Sequence, residues 1–293
     1  MNGSGVTSGA VTLRLAKDGS PDPRDGAVPS HVVSVVFTTD LNEWRREWGA
    51  ETPTREAVIS VGDPTRSTST TGSTQLFPAH DLAYTMLGET DGIDPVLETV
   101  DEYLVETAGS EPMVLVDDVA PVLDAFGPIT LCRFLDELSE VVGAVGGDVT
   151  VGCSVTPDLI RAVDPITTVI EEVSGIDPEL TEAVARLRRT DPTTFGYTRR
   201  YWAEAGRGID ACTRNYPQAK QIHAALTEPE TTPRTLGATL TGLVTLNVLG
   251  TWGETVGPTR YDLTAYDPVR AARMGFVLAG STEASSPRVV HDS

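Results

Sequence analysis

"PMVLVDDVAPVLDAFG", residues 112–127, decides how the first two thirds of the chain are read. Met113 to Val116 are apolar without interruption and run straight into two aspartates. A short, fully apolar run of this kind is the pattern of a strand buried on both faces of a parallel sheet, with polar groups gathered at its carboxyl end. Outward from it the same grammar repeats. "HVVSVVFTT" (31–39), "EAVISVG" (56–62) and "DVTVGCSV" (148–155) read as strands, and "AVTLRLA" (10–16) as a candidate first strand. Between them, "LNEWRREWG" (41–49), "VLETVDEYLVETA" (96–108) and "PITLCRFLDELSEVVGAV" (128–145) carry helical spacing. Asp94 followed by Pro95 predicts an N-cap and first turn, and "DPTRSTSTTGSTQL" (63–76) predicts a flexible excursion. Strand alternates with helix, which predicts an α/β domain with a mostly parallel sheet.

The stretches "VVSVVFTTDLNEWRREWG", "AVISVGDPTRS" and "MVLVDDVAPVLDAFGPITLCRFLDELSEVV" resemble the RecA/KaiC-like domains of a group of haloarchaeal proteins, over residues 8–175. The resemblance implies a RecA-like fold for residues 8–178. In nucleotide-hydrolysing members, the aspartate at the end of this strand orients magnesium, the Walker B position, and a glycine-rich loop with a lysine holds the phosphates. Asp117 and Asp118 match the first feature, as a degenerate Walker B site.

The second feature is missing. A phosphate loop needs Gly-x-x-x-x-Gly-Lys-Ser/Thr between a strand and a helix, so that backbone amides cradle the anion. The segment after the first strand is "KDGSPDPRDGAVPS" (17–30). Its three prolines remove backbone donors, and Asp18, Asp22 and Asp25 repel an anion that Arg24 compensates only in part. Lys17 is misplaced, and the only other lysine is Lys220. "VGAVGG" (142–147) follows a helix and precedes a strand, the wrong order for a phosphate cradle, so it reads as a helix C-cap and turn. Without that loop, Asp117 and Asp118 have two readings: residual magnesium or nucleotide binding, or caps of the following turn. No other catalytic constellation is legible, and no cofactor is expected.

Charge divides the chain. The net charge is −20, yet residues 1–180 hold 9 basic and 31 acidic side chains, whereas residues 181–293 hold 13 and 11. Dense carboxylates and near-absence of lysine fit a salt-rich cytoplasm, where screening within about 3 Å at 1 M salt tempers their repulsion. The near-neutral, arginine-containing final third has two readings: a surface that meets something negative, or arginines pairing with the acidic domain. Cys132, Cys153 and Cys212 are odd in number and lack Cys-x-x-Cys spacing, which argues against a disulfide framework or zinc. The four histidines are scattered, and no apolar run approaches the ~20 residues of a membrane helix. A cytoplasmic protein with no membrane partner is expected.

From residue 193 the pattern turns helical. In "TTFGYTRRYWAEAGRGIDAC" (193–212), Phe195, Tyr201 or Trp202, and Ile209 recur at helical intervals, predicting a linker over 179–213. "YPQAKQIHAALT" (216–227) predicts a second helix. In "TTPRTLGATLTGLVTLNVLG" (231–250), Thr232 caps, Pro233 starts, and Leu236, Leu240, Leu243 and Val244 mark one face. "TWGETVGPTRYDLTAYD" (251–267) predicts strands Thr251–Glu254 and Arg260–Thr264 about a Gly-Pro turn. The order over 214–270 is that of a winged helix-turn-helix, and it is similar to the recognition helix and wing of archaeal transcriptional regulators.

That similarity implies a helix over 233–248 entering the major groove of double-stranded DNA, with Thr232, Arg234, Thr235, Ala238 and Thr239 near base edges and Thr241 and Thr245 further along. Arg260 on the wing, and Lys220 with Tyr216 ahead of the helix, would meet phosphate. Trp202 and Trp252 are expected in the core. The tail, 281–293, is expected to be disordered.

Together these readings predict a cytoplasmic, homodimeric, DNA-binding transcription or signalling regulator, with a non-catalytic RecA-like domain sensing an unknown small ligand or protein. The alternatives are a KaiC-type ATPase using Asp117 and Asp118, and a protein-interaction adaptor that leaves DNA alone.

Overall fold

The computed structural model describes residues 9–17, 29–48, 52–62, 74–77, 81–88, 92–106, 110–253 and 257–281. The chain divides into two compact units: residues 1–159 with 168–174, and residues 160–167 with 175–293.

The first unit is an α/β layer built on an eight-stranded sheet among the described residues. Its strands are β1 (Val11–Ala16), β2 (His31–Val36), β3 (Arg55–Gly62), β4 (Thr74–Phe77), β5 (Leu82–Gly88), β6 (Met113–Val116), β7 (Asp148–Ser154) and β8 (Glu172–Val173). They lie in the order β4-β5-β3-β2-β6-β7-β1-β8, and every pairing is parallel except β4 against β5. The predicted mostly parallel sheet is therefore present. The central strands are buried along nearly their whole length, as the uninterrupted apolar runs require.

Three helices of this unit matter for the site. α1 (Leu41–Glu47) starts at Asp40, whose side chain accepts the N–H of Glu43. Its Trp44 and Trp48 meet edge to face at 6.4 Å and pack with Val32, Val36, Val58 and Leu115. α2 (Asp94–Val105) has Ile93 at its N-cap position with no side-chain cap, and Asp94 stands one place inside the helix rather than before it. α3 (Ala120–Ala144) starts eight residues ahead of the predicted helix and bends at Gly127, whose φ of 78° is accessible to glycine without strain. The "VGAVGG" segment closes α3 as expected, with Gly146 at φ 76°.

β4 and β5 correct the predicted excursion over 63–76: its last three residues belong to a strand, and a second strand follows. β4 is exposed along its length at the sheet edge, so its sequence carries no burial signal. Residues 63–73 lie outside the described residues.

α4 (Pro157–Ile166) belongs to the second unit from residue 160 onward. The rest of that unit is α5 (Pro178–Thr190), α6 (Pro192–Ala211), α7 (Ala219–His223), α8 (Pro233–Thr245), β9 (Gly250–Thr251), β10 (Tyr261–Asp262) and α9 (Pro268–Gly280). Four of the helices begin with an aspartate or threonine cap: Asp177 on α5, Asp191 on α6, Thr232 on α8 and Asp267 on α9. In each case proline occupies the first turn, where its missing N–H costs nothing.

The predicted linker over 179–213 is corrected here. α5 and α6 bury Leu180, Val184, Leu187, Phe195, Trp202 and Ile209, and pack with α8 and α9 in one core. An amphipathic helix with that much apolar surface lowers its free energy by joining a core rather than by spanning solvent. α9 extends beyond the predicted module boundary at residue 270 and buries Ala271, Ala272, Met274 and Phe276 in the same core. The tail from 282 onward lies outside the described residues.

Candidate functional site

The aspartate pair sits at the carboxyl edge of the sheet. β2 and β6 are neighbours, but the chain leaves β2 for β3 on one side and β6 for β7 on the other. In open α/β sheets, this divergence opens a crevice in which ligands bind. Here the crevice is laced by side chains. Asp117, fully buried, accepts the N–H of Phe37 (2.8 Å), Thr38 (2.9 Å) and Thr39 (3.0 Å), the hydroxyl of Thr38 (2.8 Å) and the N–H of Asp118 (2.6 Å). A carboxylate offers about four lone-pair sites, so these five bonds saturate it. Burial pushes the Asp117 carboxyl above its ordinary range, and the bonds from Phe37, Thr38 and Asp118 pull against that.

Asp118 faces the other neighbour. Its Oδ1 accepts the N–H of Ser154 (3.0 Å) and of Ala120 (2.8 Å), and its Oδ2 accepts the Ser154 hydroxyl (2.5 Å). Asp117 therefore ties β6 to the end of β2, and Asp118 ties β6 to the end of β7 while capping the turn into α3. Of the two sequence readings, the geometry realises the turn cap and extends it to a three-strand clamp. No group of three or more His, Cys, Asp or Glu side chains suited to a metal occurs among the described residues. The loop position ahead of β2 lies largely outside them.

The second candidate site is built on α8. Leu236, Leu240 and Leu243 point into the core as the spacing predicts, and Gly242 lets α8 approach α6 closely. A Cβ at Gly242 would fall 1.8 Å from Thr198 Oγ1. The opposite face is open: Arg234, Thr241 and Thr245 are exposed, and Gly237 and Ala238 are half-exposed between them. Thr232 and Thr235 stand at the start of the helix, where the Thr232 hydroxyl caps the Thr235 N–H (3.2 Å) and meets the Thr235 hydroxyl (3.0 Å).

Thr239 departs from the expectation of base contact. It is fully buried, donating to the carbonyls of Thr235 (3.1 Å) and Tyr197 (3.4 Å). The helical period turns it toward α6, and a threonine that bonds to its own preceding turn tolerates that burial.

After α8 comes a small hairpin, shorter than predicted, in which β9 and β10 pair antiparallel through Thr251 with Tyr261 and Gly250 with Asp262. Predicted strand residue Glu254 lies outside the described residues. Beyond the hairpin, the N–H groups of Tyr261 and Leu263 donate to the carbonyls of Pro217 and Asn215, so the segment ahead of α7 lies alongside β10. Arg260 is exposed, with Nη1 donating to the Tyr216 carbonyl (3.2 Å), and Lys220 is exposed on α7. Trp202 is buried as expected, but Trp252 is not: it is 48% exposed and stacked on Tyr216 with ring centroids 4.0 Å apart. A two-residue strand has no inner face to bury an indole, which is why its place was not legible in the sequence.

No helix is long and apolar enough to cross a membrane among the described residues. No curated protein matches the chain. Among solved structures, the chain is weakly similar to one titled as Drosophila ORC bound to AT-rich DNA and Cdc6, at 7% identity, covering 87% of this chain and 86% of that one with a TM-score of 0.21, a likeness too low to carry an argument. The profile of a family of unknown function, DUF7504, matches residues 7–175, more than half of the chain, and the protein belongs to that family.

Proposed function

We propose that the protein is a DNA-binding regulator, in which the first unit is a RecA-like sensor without a phosphate loop and the second is a winged helix-turn-helix. The observation that carries the reading is the open face of α8. One side of this capped helix is held by Leu236, Leu240 and Leu243, while Arg234, Ala238, Thr241 and Thr245 remain outward, followed by a hairpin with Arg260 exposed. A helix presented this way, with its polar N-terminal half free, has the form that enters a major groove, and cations beside it neutralise phosphate. The separation of charge agrees: the acidic excess lies in the first two thirds, leaving the arginine-bearing final third near neutral. Thr239 is withdrawn from the reading set, which becomes Thr232, Arg234, Thr235, Ala238, Thr241 and Thr245, with Lys220 and Arg260 for phosphate.

The clamp formed by Asp117 and Asp118 speaks against the ATPase alternative, because a magnesium ion at Asp117 would have to displace existing bonds. The adaptor alternative draws on the exposed Trp252, since a half-exposed indole backed by tyrosine suits a protein partner as well as a nucleic acid. Fluorescence polarisation with genomic duplex fragments at high potassium decides between them. Arg234→Ala and Arg260→Ala are expected to weaken binding severalfold and flatten its salt dependence. Unchanged behaviour of both variants with every duplex would leave the adaptor.

A further inference from the structure

A cleft of about 950 Å³ opens in the second unit between α4, α6 and the 225–230 loop, a size within the range of small-molecule sites. Its wall includes Arg200, Glu204, Arg207 and Ala211, at intervals of four, three and four along one face of α6. Arg199 and Arg200 are exposed and form no ion pair among the described residues.

Glu204 is the anomaly. It is 2% exposed, and its Oε1 accepts the N–H of Glu230 (2.9 Å) and of Thr231 (3.2 Å) and the Thr231 hydroxyl (3.1 Å). Its Oε2 is buried without a hydrogen-bond partner. Leaving a charged oxygen in that state is costly, and proteins retain such groups where something else completes them.

What completes it is constrained by its neighbours. A simple anion would satisfy the arginines but add negative charge to a wall that already carries Asp164, Glu204, Glu228 and Glu230. A simple cation would satisfy Glu204 but meet the arginines. A molecule carrying both charges a few ångströms apart satisfies each, and the cleft leaves room for a large side chain.

We propose that this cleft binds a free amino acid, with its ammonium on Glu204 Oε2 and its carboxylate on Arg199 and Arg200. The site also reaches α8. Glu204 Oε1 holds Glu230 and Thr231, Arg207 pairs with Glu230 at 3.2 Å, and the next residue is Thr232, the cap of α8. An occupant that draws on the same carboxylate alters the hold on the helix start, and this regulatory consequence rests on the DNA-binding reading above.

Calorimetric titration of the full chain with each of the twenty common L-amino acids, without DNA, tests the binding. At least one is expected to bind one to one, while its N-acetyl and carboxamide forms bind roughly tenfold more weakly or worse. Glu204→Gln keeps an acceptor for the 230–231 loop and is expected to lose affinity to a similar degree without moving the thermal transition. Arg200→Ala, at an exposed site, gives the same answer if Glu204→Gln does not fold. Binding of no amino acid, or undiminished binding by Arg200→Ala and a folded Glu204→Gln, overturns the proposal. Repeating the polarisation assay with the best amino acid separates the two claims: binding of the amino acid without binding of any duplex sinks only the regulator, and the converse sinks only this site.

Discussion

The carboxylate of Asp117, at the end of β6, accepts both the N–H and the hydroxyl of Thr38, at 2.9 and 2.8 Å, from the end of the neighbouring β2. The pair ties β6 to the end of β2 at the carboxyl edge of the sheet, and it gives Asp117 a measurable cost of removal.

Asp117→Ala removes the acceptor of the N–H groups of Phe37, Thr38, Thr39 and Asp118, in a bond that is buried for Asp118 and partly buried for the other three. Each unsatisfied donor costs about 1–3 kcal/mol, so the variant is expected to lose at least about 3 kcal/mol or fail to fold. Thr38→Val, which removes only the hydroxyl bond, is expected to lose about 1 kcal/mol. Urea denaturation of the pair measures both; a neutral Asp117→Ala would contradict the clamp.

Gly242→Ala tests the approach of α8 to α6. The added methyl would overlap the hydroxyl of the buried Thr198, and overpacking of this kind costs about 1–3 kcal/mol. Thr198→Ala in the same chain is expected to recover part of the loss, and a double-mutant cycle gives the coupling.

Asp177 supplies a pH dependence with a definite sign. Its bond from the Leu180 N–H, and then Arg270, hold its carboxyl below the ordinary value of 3.8. A depressed folded value means that the stabilisation is present above the unfolded value and is lost as pH falls through the folded one. The parent is therefore expected to be more stable than Asp177→Asn at neutral pH, with the gap closing at pH about 4 and below. Calorimetric transitions across an acid series check this; a constant gap would refute it.

Thr239→Val distinguishes packing from reading. Because Thr239 faces α6, the variant is expected to shift stability by about 1 kcal/mol and leave duplex affinity unchanged, whereas Arg234→Ala should do the reverse.

Much of this architecture was legible because apolar spacing carries it. The runs at 31–36, 113–116 and 148–154 are buried strands, and Leu236, Leu240 and Leu243 form the inner face of α8, as their periodicity requires. β4 escaped because an exposed edge strand needs no apolar pattern. The helices of 179–213 read as a linker because amphipathicity shows that a helix has something to bury, not which core receives it.

Local order is a property of the chain's own grammar, and the sequence by itself determined the alternating α/β unit, the helix capped by Thr232 and the missing phosphate loop. Only the tertiary structure decided that Asp117 and Asp118 spend their oxygens on β2 and β7, that Thr239 faces inward while Trp252 lies open, and that Glu204 keeps one oxygen unpaired beside a cleft. Hydrogen-bond partners for a buried carboxylate come from segments tens of residues away, and no local pattern encodes which donors the folded chain will bring.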